Sequence, residues 1–215
     1  MSYDVFVFDW DGTLVDSMKF KINNLAILLN DEYKADRNDV RMSYEAHSGI
    51  PRKQLFKKII NEVANFDISE SDFNRLSIKF TDMNRETYLK NGLKLFPDAE
   101  VMLEKLREKI NVKIYISSSA SQEELDAAVK SAAYMYRFNG MFGSKEGFSK
   151  GIEHISRIKK LEQCNSDQIL FVGDDKNDVR LGQQAGVDTK RILRKTDAKD
   201  SSKFLGTLSE LLQYT

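Results

Sequence analysis

The stretch from Tyr3 to Ser17, YDVFVFDWDGTLVDS, narrows the possible folds more than any other part of the chain. Val5, Phe6, Val7 and Phe8 are β-branched or aromatic, and apolar at every position. A strand with one wet face alternates, so an unbroken apolar run reads as a strand buried on both faces inside a parallel sheet. Asp9 and Asp11 follow at once, with a Gly-Thr turn behind them. Carboxylates at the end of a buried strand need a reason, and open α/β sheets supply one: their ligand crevice lies outside the carboxyl ends of the strands. Alternation puts Asp9 and Asp11 on one side and turns Trp10 away. Two carboxylates that close repel unless a cation or a shared proton intervenes. The pair therefore reads as catalytic and predicts a divalent metal.

Beyond Ser17 the apolar spacing is helical as far as Leu95. Ile22, Leu25 and Leu29 form one stripe, Leu55, Phe56, Ile59, Ile60 and Val63 a second, and Phe73, Leu76, Phe80 and Met83 a third. Such stripes are the core of a small helical bundle. From Phe96 onward strands and helices alternate, which is the grammar of a parallel sheet. Pro97 and Asp98 are expected to open a helix with Met102, Leu103, Leu106 and Ile110 inward, and VKIYI at 112–116 to form the next strand. Ser121 to Glu124 reads as a capping box opening a helix through Tyr136. A short strand at 138–142, a helix at 150–161, a buried strand ILFV at 169–172, a last strand at 191–193 and a closing helix at 208–212 complete the expectation. The first strand then belongs with the second half of the chain. The predicted fold is α/β: a Rossmann-like parallel-sheet core from residues 1–16 and 96–215, with an all-helical domain, 17–95, inserted.

Composition serves mainly to exclude. Lys plus Arg equals Asp plus Glu at 33 each, so the net charge gives no sign of a nucleic-acid or anionic-membrane partner. The single cysteine, Cys164, rules out an internal disulfide and a multi-cysteine zinc site. The N-terminus has no signal-peptide pattern and no apolar run reaches the length of a membrane span, so a cytoplasmic protein is expected.

Four loops at the ends of the apolar runs carry the polar residues: Asp9 and Asp11, then Ser117 to Ser119, then Lys150, then Asp174, Asp175 and Asp178. A parallel sheet brings such ends together. The DWDGTLVDS start, the serine after the second strand, the lysine and the GDDKND loop resemble, in this order, the motifs of the haloacid dehalogenase (HAD) superfamily. Within it, the chain looks like subfamily I, which has a helical type I cap and includes phosphoglycolate phosphatases and β-phosphoglucomutases. The resemblance implies that Asp9 is the nucleophile that forms an aspartyl-phosphate, and that Asp11 is the acid and then the base. It implies further that Ser117 donates to a phosphoryl oxygen beside the backbone N–H groups near Trp10 and Ser118, and that Lys150 neutralises charge. Magnesium would be held by Asp9, the backbone carbonyl of Asp11 and Asp174, with Asp178 binding a metal water or orienting Lys150. Asp175 is an alternative to Asp178, or only a helix cap. Lys145 competes with Lys150 for the lysine role, and Gly151 stands where relatives usually have proline.

Dehalogenases of the superfamily lack the second aspartate, so Asp11 favours phosphoryl chemistry. In the inserted block, HSGIPRKQLF at 47–56 resembles the cap loop of sugar-phosphate phosphatases and mutases, with Gly49 at the turn. Arg52 would grip a carboxylate or second phosphate, or else belong with Lys53, Lys57 and Lys58 to a solvated basic face. His47 is read as a loop residue. The expected function is a magnesium-dependent phosphatase, a phosphoric monoester hydrolase, acting on a small phosphorylated metabolite as a monomer or weak homodimer. A phosphosugar mutase on the same core is the alternative, and a non-catalytic binding module a more distant one.

Overall fold

In the computed structural model, residues 2–48, 50–133, 138–194 and 205–215 are described. The chain divides into two compact units, one of Met1–Asp16 with Leu93–Thr215 and the other of Ser17–Gly92. Leu93 to Leu95, assigned to the insertion on sequence grounds, count with the core, where Leu95 forms an antiparallel bridge to Val15.

The first unit is built on five parallel strands, β1 (Val5–Phe8), β2 (Lys113–Ser121), β3 (Gly140–Ser144), β4 (Ile169–Gly173) and β5 (Asp188–Arg191), in the order β3-β2-β1-β4-β5. β1 is central, with Phe8 level with Ile116 of β2 and Val172 of β4. That is why its apolar run does not alternate: all four side chains are buried, each stabilising the fold by about 2 kcal/mol. Val5 and Val7 pack with Tyr115, Phe171, Ile155 and Ile158 on one face. Phe6 and Phe8 stack on the other, ring centroids 6.4 Å apart. The helices of this unit are α5 (Pro97–Arg107), α6 (Gln122–Ser131), α7 (Ile152–Glu162) and α8 (Lys176–Gln184), and the closing helix expected at 208–212 is a 3₁₀ helix, Leu208–Tyr214.

Two expectations are corrected. Ile110 is 96% exposed, because α5 stops at Arg107 and the helical period no longer applies beyond it. The last strand is Asp188–Arg191 and not 191–193: β5 is an edge strand of charged and polar residues, Asp-Thr-Lys-Arg, so it carries no apolar signal. Ser121 caps α6 as expected, accepting from the Glu124 N–H at 3.3 Å, and that helix ends at Ser131. The rest of its expected span, 134–136, lies outside the described residues.

Among the described residues the second unit has four helices, α1 (Met18–Tyr33), α2 (Arg37–Ala46), α3 (Arg52–Ala64) and α4 (Glu70–Asn91). Leu25 and Leu29, Phe56, Ile59 and Ile60, and Leu76 and Phe80 from the three stripes meet in one apolar cluster. Asp36 and Ser69 cap α2 and α4, each accepting from backbone N–H groups of the first turn.

Candidate active site

The site forms where β1 and β4 end side by side. The Asp9 N–H donates to the Val172 carbonyl at 2.9 Å, which holds the first aspartate beside the C-terminal end of β4. The turn after Asp11 closes with the Gly12 N–H donating to the Val15 carbonyl at 2.9 Å. Gly12 has φ +80°, and a Cβ on it would lie 2.5 Å from Asp174 Oδ2. Only glycine satisfies both demands. Thr13 then donates from Oγ1 to Asp174 Oδ1 at 3.0 Å, so the Gly-Thr pair makes room for the carboxylate that follows β4 and fixes it. Arg191 Nε donates to the Asp174 carbonyl at 2.8 Å. Gly173 meets only the steric demand, since a Cβ there would stand 2.1 Å from Asp178 Oδ2.

Asp175 caps α8, its Oδ1 accepting from the Asn177 N–H at 2.7 Å, while Asp178 Oδ2 accepts from the Asp175 N–H at 3.2 Å. Those roles leave Asp178, and not Asp175, facing the cluster. Lys150 joins it from the loop before α7, through Gly151 at φ +109°. Its Nζ lies 2.8 Å from Asp9 Oδ1 and 2.5 Å from Asp178 Oδ1. Lys145 instead lies over the Phe148 ring, 5.7 Å from its centroid.

Carboxylate oxygens of Asp9, Asp174 and Asp178 all lie within 4.8 Å of one another. Burial pushes the Asp9 carboxyl well above the usual range, Lys150 opposes this, and Asp178, Asp174 and Asp11 add to it. Asp174 is pushed up to about 6, by burial and then by Asp178. Burial alone would lower the Lys150 ammonium, yet Asp178 and Asp9 together raise it above the ordinary lysine range. Two buried carboxylates, Asp9 and Asp178, and the half-buried Asp174 around one ammonium are short of positive charge, and their hard oxygens suit a divalent metal ion. The Asp11 side chain is half-buried and outside this cluster.

Ser117 and Ser118 are both buried and differ in their partners. Ser117 is fully buried, and its Oγ lies 2.8 Å from His154 Nδ1. Ser118 Oγ accepts from the Ala120 N–H at 3.1 Å, and no described residue accepts the Ser118 hydroxyl proton. The Trp10 carbonyl accepts from the Leu14 and Val15 N–H groups at 3.0 and 3.1 Å, and its indole is buried with Nε1 unpaired. His154, which the motif reading passed over, is a fully buried polar residue one helical turn beyond Lys150. The signal available was its spacing from Lys150 in a chain with two histidines.

Within the helical unit Arg52 is engaged with its own neighbours. Its Nη1 donates to Thr81 Oγ1 at 2.9 Å, and the guanidinium lies 5.2 Å from the Phe80 ring centroid. Lys53 pairs with Glu70 at 2.6 Å, and His47 Nε2 lies 2.6 Å from Glu62. Gly49 lies outside the described residues. Among the described residues no helix is long and apolar enough to cross a membrane.

Comparison with known proteins agrees with this geometry. Residues 6–192 match a family model described as haloacid dehalogenase-like hydrolase. The curated relative Enolase-phosphatase E1 of Shewanella frigidimarina (strain NCIMB 400) is 27% identical over 122 residues, 55% of this chain. The chain spans about half the length of that relative, 54%. Among solved structures, a predicted phosphoglycolate phosphatase from Haemophilus somnus 129PT superposes with TM-score 0.82 at 18% identity, over 99% of this chain and 98% of that one. CbbY from Rhodobacter sphaeroides, solved in complex with phosphate, superposes with TM-score 0.72 at 15% identity, over 97% of this chain and 96% of its own. A mutant of CbbY was solved in complex with xylulose-(1,5)bisphosphate.

Proposed function

The chain belongs to the haloacid dehalogenase-like hydrolases, and from that premise we propose that it is a magnesium-dependent phosphatase of a small phosphorylated metabolite, working through an aspartyl-phosphate. The observation that carries this reading is the buried cluster at the ends of β1 and β4, where Lys150 bridges Asp9 and Asp178 beside Asp174.

Asp9 attacks phosphorus through a carboxylate oxygen; the bond from phosphorus to the leaving oxygen breaks, and that oxygen takes a proton from Asp11. Asp11, now a carboxylate, removes a proton from water, the water oxygen attacks phosphorus, and the acyl-phosphate bond breaks to return Asp9 and release inorganic phosphate. Lys150 holds charge beside the attacking oxygen. The Ser118 hydroxyl, rather than that of Ser117, donates to a phosphoryl oxygen, together with the N–H groups of Trp10 and Ser118. Asp9, the Asp11 carbonyl and Asp174 would hold magnesium, with Asp178 behind them; when bound, the ion supplies the missing positive charge and draws density from the phosphoryl oxygens.

The phosphoglycolate phosphatase and CbbY likenesses support a phosphosugar or related small anion as substrate class. Arg52, held against Thr81, would help to select it. The enzyme is taken to be a cytoplasmic monomer or weak homodimer that needs neither nucleic acid nor membrane. The test is phosphate release from a panel of sugar phosphates, phospho-acids, nucleotides and an aryl phosphate, with magnesium and with chelator, beside Asp9→Asn. Release that requires magnesium and is abolished by Asp9→Asn is expected. Isomer formation without release would replace the phosphatase with a mutase, and no change on Asp9→Asn would end the mechanism.

A further inference from the structure

The ladder of β2 slips where the site begins. Tyr115, Ile116 and Ser117 pair in turn with Gly140, Met141 and Phe142 of β3, but the next partners are Ser121 and Ser144. Two more residues of β2 than of β3 lie in that interval, so regular backbone bonds are missing across Ser118 to Ala120. Irregularities of this kind re-aim side chains and recur beside active sites. Side-chain bonds stand in the gap: Ser144 Oγ donates to the Ser118 carbonyl at 3.1 Å, and Ser117 Oγ is joined to His154 Nδ1 at 2.8 Å.

His154 is an odd residue to find there. Its ring is buried among aromatic side chains, 4.5 Å from the centroid of Phe148 and 5.7 Å from that of Phe142. Among the described residues Ser117 Oγ is the side-chain partner of the ring, at Nδ1, while the backbone of Gly143 and of Phe148 lies near enough to bias its charge and Nε2 is left without a well-formed bond. Leaving a buried nitrogen unpaired is costly, and a phenyl ring would fill the space without that cost. What the imidazole adds is its hold on Ser117. Burial first, and then the Lys150 ammonium, push its pKa down to about 4, so the ring is neutral near neutral pH and does not compete with Lys150 for the carboxylates.

We propose that His154 is a positioning residue for Ser118: by fixing the Ser117 hydroxyl it holds the slipped end of β2 so that the Ser118 hydroxyl and N–H meet the phosphoryl group. The proposal rests on the phosphatase reading of the site for its catalytic consequence, though not for its structural one.

The test uses the full chain and the variants His154→Phe, His154→Asn and Ser118→Ala. His154→Phe should lower kcat about tenfold while KM stays within about twofold, a fraction of what the loss of a whole donor costs. His154→Asn, whose amide can stand in for Nδ1, should recover most of that loss. In a Ser118→Ala background His154→Phe should cost clearly less than in the wild type, because the hydroxyl it positions is gone and only the N–H remains. Additive losses would overturn the proposal. Ser117→Ala deletes the same bond from the other end and should reproduce the effect if the phenylalanine variant does not fold. A second arm needs no turnover: amide hydrogen exchange at Ser118 to Ala120, measured by NMR with magnesium and inorganic phosphate, should quicken about tenfold in His154→Phe and return in His154→Asn. Unchanged exchange overturns the proposal as well. A wild-type protein that releases no phosphate from any compound fails the phosphatase reading, and the exchange arm then decides the role of His154 by itself.

Discussion

Two charged clusters in this protein share one geometry with the signs exchanged. In the core unit the Lys150 ammonium lies 2.8 Å from Asp9 and 2.5 Å from Asp178. In the helical unit the Glu32 carboxylate lies 2.6 Å from Arg75 and 2.5 Å from Lys79. Distance alone would rank them equal. Their surroundings differ: the Lys150, Asp9 and Asp178 side chains are all under a tenth exposed, whereas Arg75 and Lys79 are 43% and 51% exposed. An ion pair at 4 Å is worth roughly 1 kcal/mol in water and about 4 kcal/mol at an effective dielectric of 20. The balance of charge differs too. Asp72, 3.6 Å from Arg75, balances the surface cluster, while Asp174 leaves the core cluster with an excess of carboxylates. A neutral exposed cluster has no need of a further ion. A buried one short of positive charge is a place for a cation.

Removing the shared group from each cluster should give very different results. Lys150→Met leaves buried carboxylates without their counter-ion, and it should destabilise the protein by about 4 kcal/mol and abolish phosphate release. Urea unfolding beside the phosphate assay checks both. A loss under about 1 kcal/mol would mean that burial does not give the core cluster its weight.

The same burial acts on a neighbour with no carboxylate partner. His154 has its pKa depressed to about 4, below the ordinary value of 6.5, so between these values the unfolded chain binds more protons than the folded one. Its contribution to stability is therefore whole above about pH 6.5 and is lost as pH falls toward 4, by at most roughly 3 kcal/mol. Asp9 and Asp174, held high, tilt the profile the other way. The quantity to measure is thus the difference between wild type and His154→Phe in unfolding free energy at pH 7 and pH 4.5. Wild type should lose ground against the variant on acidification.

Asp174→Asn sharpens the comparison in the opposite direction. A carboxylate whose pKa is raised to about 6 destabilises the metal-free fold at neutral pH, so its amide should be neutral or more stable by about 1 kcal/mol in chelator. The wild-type protein should gain thermal stability on adding magnesium, because an ion that binds the folded chain shifts the equilibrium by mass action. The variant should lose most of that gain together with activity. Differential scanning calorimetry with and without magnesium separates the two effects.

How much of this was legible in the sequence follows the same division. The unbroken apolar runs at Val5–Phe8 and Ile169–Val172 named their strands, and the acids at their ends were noticeable because burial and charge conflict there. Gly12 and Gly173 could be read as turn glycines, but the reason they are obligatory, the carboxylates of Asp174 and Asp178 against their α-carbons, comes from across the fold. Three consecutive serines carry no mark of which one faces the site. The slip of β2 and the contact of Ser117 with a histidine 37 residues away, neither of them visible in the sequence, are what the proposal for Ser118 rests on. β5 escaped because an edge strand of charged residues has no apolar period, and the partners of Arg52, Ser77 and Thr81, lie on a helix that periodicity could locate but not orient toward it.

The smallest effect belongs to the exposed cluster, where it completes the contrast. Hydrogen bonds from Lys79 and Arg75 hold the Glu32 carboxyl below its usual range, but both partners stand half in water. Screening by solvent and the entropy of two long side chains should leave Glu32→Gln within about 1 kcal/mol of wild type, with the difference shrinking as salt is raised. Chemical denaturation in urea at two salt concentrations measures it. Lys150→Met, measured in chelator with a monovalent salt, should lose little of its effect as salt is raised, because buried pairs are screened much less than exposed ones. If the two variants responded to salt alike, the distances would matter more than the burial, and the inference from a buried excess of negative charge to a cation site would lose its ground.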